Sequence, residues 1–245
     1  MSVFATLVER LADLLQPFFA TSATAAAIIA FTALVRLAIH PLSRAAARGQ
    51  KAGARLAPQV AAVREKHAKN PERMRKALME LYAREKTSPF SGCLPSLFQL
   101  PAFFLMYHLF SSSGIGGEPN ELLAHTLFAA PLGGRWTDVL GDGGVFGGAG
   151  QVYLVLFAIV TAVAVFTYRM TRSRLAANPL PAAGPPGMAA MTKFLPLLSF
   201  GTLITVAVVP LAAALYIVTS TAWSAAERFF LYRDMPAAGA LANPL

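Results

Sequence analysis

The chain has 245 residues; 56% are hydrophobic and only 13% charged, yet the net charge is +9, from 21 Lys and Arg against 12 Asp and Glu. Soluble domains average about 25% charged residues and disordered chains have low hydrophobicity, so the composition argues against both. A single cysteine and four histidines argue against a disulfide framework and a structural zinc site. An apolar, basic chain fits an all-α polytopic membrane protein, and the question becomes where the charge sits.

In chain order, residues 1–19 carry Val3, Phe4, Leu7, Leu11, Leu14, Leu15 and Phe18 at helical spacing, with Glu9, Arg10 and Asp13 elsewhere on the helix. This predicts an amphipathic helix lying on the outer membrane surface; packing of the same helix on the bundle fits the pattern equally. The segment lacks the basic start and small-residue cleavage site of a secretory signal. Five apolar runs then follow, predicted to span at 20–41, 93–111, 151–169, 194–208 and 210–232. A span needs roughly 20 apolar residues, so the fourth is short. The runs are continuous rather than alternating, which favours helices over a barrel.

Charge sets the orientation. Residues 42–92 hold about a dozen Lys and Arg against four acids, and 170–193 hold Arg172, Arg174 and Lys193 with none. The 112–150 loop has Arg135 against Glu118, Glu121, Asp138 and Asp142. The positive-inside rule therefore predicts an N-out, C-in topology with two basic cytoplasmic loops, an extracytoplasmic loop at 112–150 and a short cytoplasmic tail at 233–245.

The 42–92 segment is too long for a plain connector. Leu56, Val60 and Val63, then Met74, Leu78, Leu81 and Tyr82, recur at helical spacing around Asn70-Pro71, a good N-cap followed by a good first helical residue. The segment reads as a cytoplasmic amphipathic helical hairpin with Lys66, Lys69, Arg73, Arg75 and Lys76 about its tip. Part of that charge is a solvated face and a topology signal. It also suits anionic lipid headgroups, ribosomal RNA or an acidic partner. No nucleic-acid motif accompanies it, so sequence-specific base recognition is not expected.

Arg36 is the most informative residue. It lies about five residues before Pro41, inside the inner leaflet, where insertion scales put an Arg at about 2.5–3.5 kcal/mol. It either snorkels to the headgroups or faces a wet cavity between helices. Gln99, Thr32, Tyr216, Thr219, Ser220 and Trp223 fall at similar depth on the first, second and fifth spans. No membrane-embedded acid is evident to neutralise Arg36. His40 and His108 read as single interfacial residues, and Cys93 has no assigned role. Catalysis, metal binding and a cofactor are not expected: no nucleophile-base pair, metal-ligand cluster or P-loop is present.

The run from VRLAIHPL through REKTSPFSGCLPSLFQLPAFFLMYHLF resembles the YidC/Oxa/Alb family of membrane-protein insertases. It shows Arg36 ahead of Pro41-Leu42, Pro58 in the basic hairpin, Leu81-Tyr82, Ser88-Pro89, Gly92-Cys93-Leu94-Pro95, Gln99 and Pro101. FLPLLSF and PLAAALY resemble the last two spans, and the likeness covers about residues 21–232. Departures are Ile217 where Trp often follows the tyrosine, Ser220-Thr221 in place of Ser-Asn, and the nearly uncharged end. The resemblance implies a compact five-helix insertase and chaperone in the bacterial plasma membrane, working without nucleotide. It further implies a cytosol-open hydrophilic groove based on Arg36, a hairpin that first receives clients, and nascent membrane proteins as those clients. The ribosome and the Sec translocon are candidate partners. The competing readings are a small secondary transporter, which would want a midplane site and internal repeats that the sequence lacks, and a docking scaffold.

Overall fold

The computed structural model describes residues 2–85, 94–115, 117–141, 144–177 and 194–233. The chain is mostly helical. Its helices are α1 (Ser2–Phe19), α2 (Ala23–Lys66), α3 (Pro71–Arg84), α4 (Leu94–Ser111), α5 (Trp136–Gly141), α6 (Gly148–Ala177), α7 (Gly201–Val208) and α8 (Leu211–Tyr232). Two small antiparallel pairs lie between α4 and α5: β1 (Gly114–Ile115) with β2 (Glu118–Pro119), and β3 (Thr126–Leu127) with β4 (Ala130–Pro131). Among the described residues, two helical stretches have the length and apolarity of a membrane span, Val3–Lys66 and Gly148–Ala176; a third apolar stretch, Leu195–Val208, is shorter.

The chain forms two compact units. The first comprises Met1–Ala38, Leu100–Tyr168 and Leu197–Ala226 and contains an extensive apolar core. Ile28 of α2, Leu109 and Phe110 of α4, Tyr153 of α6 and Leu211 of α8 are all but fully buried. α1 joins it through Ala5 and Val8, and the Phe4 ring meets Phe31 edge-on at 6.4 Å. Val3, Leu7, Leu14 and Phe18 remain exposed. α1 thus has one broad apolar arc, one side of which is buried against the bundle and the other turned outward, with Glu9, Arg10 and Asp13 on the remaining arc.

The 112–150 segment is a folded part of this unit. Leu122, Ala130 and Leu132 are buried, and the segment supplies groups that the helix ends lack, since the first N–H and last C=O groups of a helix have no partners within it. Gly134 O accepts from Leu211 N at 2.9 Å and Leu132 O from Ala212 N at 2.9 Å, capping the start of α8. Tyr153 Oη donates to Gly134 O at 2.6 Å. At the other end of the segment, Asn120 Nδ2 donates to Leu109 O at 2.8 Å and Ser112 O at 2.9 Å, capping α4.

The expected fourth span takes an unexpected form. Residues Leu195–Phe200 are a 3-10 helix and only Gly201–Val208 is α-helical. The tighter winding rises about 2 Å per residue against 1.5 Å, so the segment is longer than an α-helix of the same residue count. Val209 is extended (ψ 158°), as a residue before proline prefers, and Pro210 ends the element. Between α6, α7 and α8 lies a cavity of about 50 Å³ lined in part by Thr167, Ser199, Thr202 and Thr221. Thr167 Oγ1 is buried without a hydrogen-bond partner. A buried, unmade hydroxyl bond costs about 1–3 kcal/mol, so the isosteric Thr167→Val is expected to raise the thermal midpoint in detergent. A lower midpoint would contradict this.

The second unit comprises Ile39–Gln99, Arg169–Pro196 and Glu227–Leu245. The sequence boundary at 41/42 is not a helix end: α2 runs without a break through Pro41 and Pro58. Each proline forfeits only one intrahelical bond, to a residue four earlier. After the turn at His67–Asn70, α3 starts as its sequence predicts, with Asn70 Oδ1 accepting from Arg73 N at 3.0 Å and Pro71 in the first turn. Leu56 is buried, while Val60, Val63, Met74, Leu78, Leu81 and Tyr82 are half-buried. The expectations for Cys93, for the 178–193 loop and for the tail beyond Arg233 lie outside the described residues.

Candidate functional site

The polar residues read from the sequence converge in part. In the first unit, α2 and α8 carry Arg36 and Ser220, 184 positions apart. Arg36 Nε donates to Ser220 Oγ at 3.0 Å, and Nη2 donates to the same oxygen. Ser220 is 6% exposed. These bonds orient the guanidinium. Tyr216 lies one turn earlier on the same face of α8 and is 3% exposed. The Tyr216 ring packs at 6.2 Å from Phe103 and 5.9 Å from Phe110. Arg36 therefore ends at the Ser220 hydroxyl, one turn of α8 from an aromatic wall.

The other expected groove residues are placed differently. Thr32 is 1% exposed and its hydroxyl donates to Ile28 O of its own helix at 2.7 Å. That back-bond satisfies a hydroxyl in an apolar setting, so Thr32 belongs to the packed core rather than to the polar site. Thr219 and Trp223 are half-buried on α8 beside Ser220. Gln99 lies in α4, but its side chain is outside the described residues. The five hairpin cations Lys66, Lys69, Arg73, Arg75 and Lys76 are all exposed around the α2–α3 turn.

Two features were not anticipated. The aromatic wall is the first; Phe103, Tyr107 and Phe110 recur at spacings of four and three, a signal present in the sequence. Phe103 and Tyr107 stack at 5.8 Å. The second lies in the other unit, where His40 Nδ1 meets Glu227 Oε1 at 2.5 Å. His40 is thus not the solitary interfacial residue expected. No local pattern joins the two, because they are 187 positions apart.

The first unit also has an apolar recess of about 460 Å³ between α6, α8 and the β3–β4 turn. Val152, Val155 and Ile159 of α6 and Leu211 and Leu215 of α8 line it. Val155 and Ile159 are exposed, at 62% and 46%. One molecule thus carries a polar, cationic site on α2 and α8 and an apolar face on α6 and α8.

Known proteins are similar in sequence to this chain. The membrane protein insertase YidC of Paraburkholderia phymatum is 39% identical over 102 residues, which is 41% of this chain and 18% of the relative. That of Burkholderia cenocepacia is 28% identical over 210 residues, 85% of this chain and 32% of the relative. That of Polynucleobacter asymbioticus is 38% identical over 101 residues, 41% of this chain and 18% of the relative. The chain therefore spans about a third or less of the length of these curated relatives. The 60Kd inner membrane protein family matches residues 15–238. With a match of that extent, and with the arginine, hairpin and Gly-Cys-Leu-Pro motifs in order, the chain belongs to the 60Kd inner membrane protein family, which is the YidC/Oxa/Alb family its sequence resembles.

Proposed function

We propose that the chain is a non-enzymatic membrane protein insertase and chaperone of the bacterial plasma membrane. It spans the bilayer five times, through the apolar part of α2, α4, α6, Leu195–Val208 and α8, with its N-terminus outside and its C-terminus inside. The charge distribution supports this orientation, and the exposed side of the α1 apolar arc suits the outer headgroup layer. The insertase relatives support the activity.

The observation that carries the reading is Arg36 oriented by Ser220 where the apolar part of α2 meets α8. A cation held in the inner leaflet offers an incoming acidic tail a charged partner in place of water. A charged group costs about 2.5–3.5 kcal/mol at mid-membrane on insertion scales, and meeting Arg36 part of the way across offsets some of that cost. The tail then completes its crossing, helped by a membrane potential worth about 2.3 kcal/mol per charge per 100 mV. The apolar segment of the client leaves along the recess of α6 and α8, and its transfer into lipid supplies the main driving force, about 25 cal/mol per Å² of apolar surface. The exposed hairpin cations receive clients and contact anionic headgroups. Nascent membrane proteins are the clients; the ribosome and the Sec translocon are the partners to test.

Reconstitution tests the whole reading. Liposomes carrying the full chain should insert a single-span client with a short acidic tail, scored by protease protection of the tail. Empty liposomes should insert much less. Equal insertion by both, or solute flux by the chain without insertion, would reject the insertase reading in favour of a transporter.

A further inference from the structure

The second unit holds a pair of cations that the insertion mechanism leaves unused. On α6, Arg174 is half-buried. Its Nη2 donates to Arg228 O in the last turns of α8 at 3.0 Å and lies 3.4 Å from Met170 Sδ. Its Cζ sits 4.8 Å from the centre of the Tyr232 ring. A carbonyl at a helix C-terminus, a thioether and an aromatic face each favour a cation, but all three are neutral. Desolvation by burial, and then the neighbouring Arg228 charge, push the Arg174 pKa down. Arg228 and Tyr232 are one turn apart on the same face of α8, so the Arg228 side chain leaves the helix on the face that Arg174 covers. Glu227, the adjacent acid on α8, is engaged by His40 at 2.5 Å.

Two arginines side by side match a phosphate, whose oxygens accept several charge-assisted bonds at once. The surface beside them is apolar: Phe229 and Phe230 of α8 are 48% and 64% exposed. Free phosphate would need only the cations, whereas a phosphate joined to acyl chains uses both features.

We propose that Arg174 and Arg228 bind the phosphate of an anionic phospholipid of the cytosolic leaflet, with Phe229 against an acyl chain. The bound headgroup cancels the repulsion between the two cations and ties the ends of α6 and α8 to the headgroup layer. This rests on the topology proposed above, which brings those helix ends to the cytosolic interface.

The test is native mass spectrometry of the full chain in detergent, titrated with phosphatidylglycerol, phosphatidylcholine or inorganic phosphate. The wild type should retain phosphatidylglycerol in preference to phosphatidylcholine. A basic residue near an anionic headgroup contributes about fivefold in affinity. Arg228→Gln, at an exposed position, should therefore weaken retention about fivefold, and Arg174→Gln combined with Arg228→Gln about 25-fold. Arg172→Gln, about 200° around α6 from Arg174, should leave it unchanged. Should the double variant fail to fold, Arg228→Gln alone decides. Unchanged retention by Arg228→Gln, an equal loss with Arg172→Gln, or equal retention of phosphatidylcholine would overturn the site. Displacement of the lipid by inorganic phosphate at matched concentration would overturn the lipid in favour of a simple anion. Thiol labelling of Arg172→Cys in a Cys93→Ser background tests the topology by itself. Labelling from the cytosolic side upholds it, and labelling only from outside would overturn it even with lipid binding intact.

Discussion

Arg36→Ala is expected to lower insertion of a client with an acidic translocated tail by about tenfold or more, since a hydrogen bond to a charged group contributes about 1.5–3 kcal/mol. Arg36→Lys should retain much of the activity, because the charge stays at the same depth. Lysine cannot place two rigid donors on Ser220 Oγ as Arg36 does, so some loss should remain. Ser220→Ala keeps the charge but removes its anchor, and an intermediate loss is expected. A client with a neutral tail should respond less to all three. The measurement is the protease-protected fraction of client in reconstituted liposomes, with each variant at matched reconstitution. Full activity of Arg36→Ala on the acidic client would remove the electrostatic step from the mechanism. Membership of the family would be untouched, because it rests on a match over residues 15–238.

The second large effect concerns stability. Asn120 is 7% exposed. Its amide bonds both Leu109 O and Ser112 O, and its backbone N–H bonds Ser113 O at 2.9 Å. Asn120→Ala withdraws both side-chain donors from carbonyls at the end of α4. At about 1–3 kcal/mol for each buried group left unmade, the cost is about 2–6 kcal/mol, seen as a thermal midpoint in detergent lower by several degrees. Asn120→Asp should be worse despite its similar shape. A carboxylate has no N–H to give and would set a charged oxygen against two carbonyl oxygens. Wild-type stability in Asn120→Asp would show that these bonds contribute nothing.

Much of the secondary structure was legible because its causes are local. Asn70-Pro71 predicts the start of α3 from two adjacent residues, and the observed cap agrees. The apolar run 151–169 falls within α6, and Pro210 separates the last two apolar elements at the expected point. The continuation of one helix, α2, through Pro41 and Pro58 is not marked in the sequence, because neighbouring turns hold a helix across one missing bond. The 3-10 winding of Leu195–Phe200 leaves no mark in an apolar pattern, since a short, uniformly apolar segment reads the same under either winding.

The candidate site divides along the same line. Composition and motif order were enough to assign a mostly helical membrane class and a family, because each depends only on residue type and position in the chain. An arginine in an apolar helix also marks itself without a structure. Its partner does not: that Arg36 meets Ser220 rather than Thr32 depends on how α2 and α8 pack. Thr32 sits a single turn from Arg36 yet spends its hydroxyl on Ile28 O. The pairing of His40 with Glu227, the caps that Gly134, Leu132 and Asn120 place on helix ends, and the contact of Arg174 with Arg228 are equally invisible in one dimension. Local pattern determined which segments are helices and which residues are out of place in them. Tertiary packing decided which of those residues meet, because hydrogen bonds reach about 3 Å and only the folded chain brings groups more than 180 positions apart within that range.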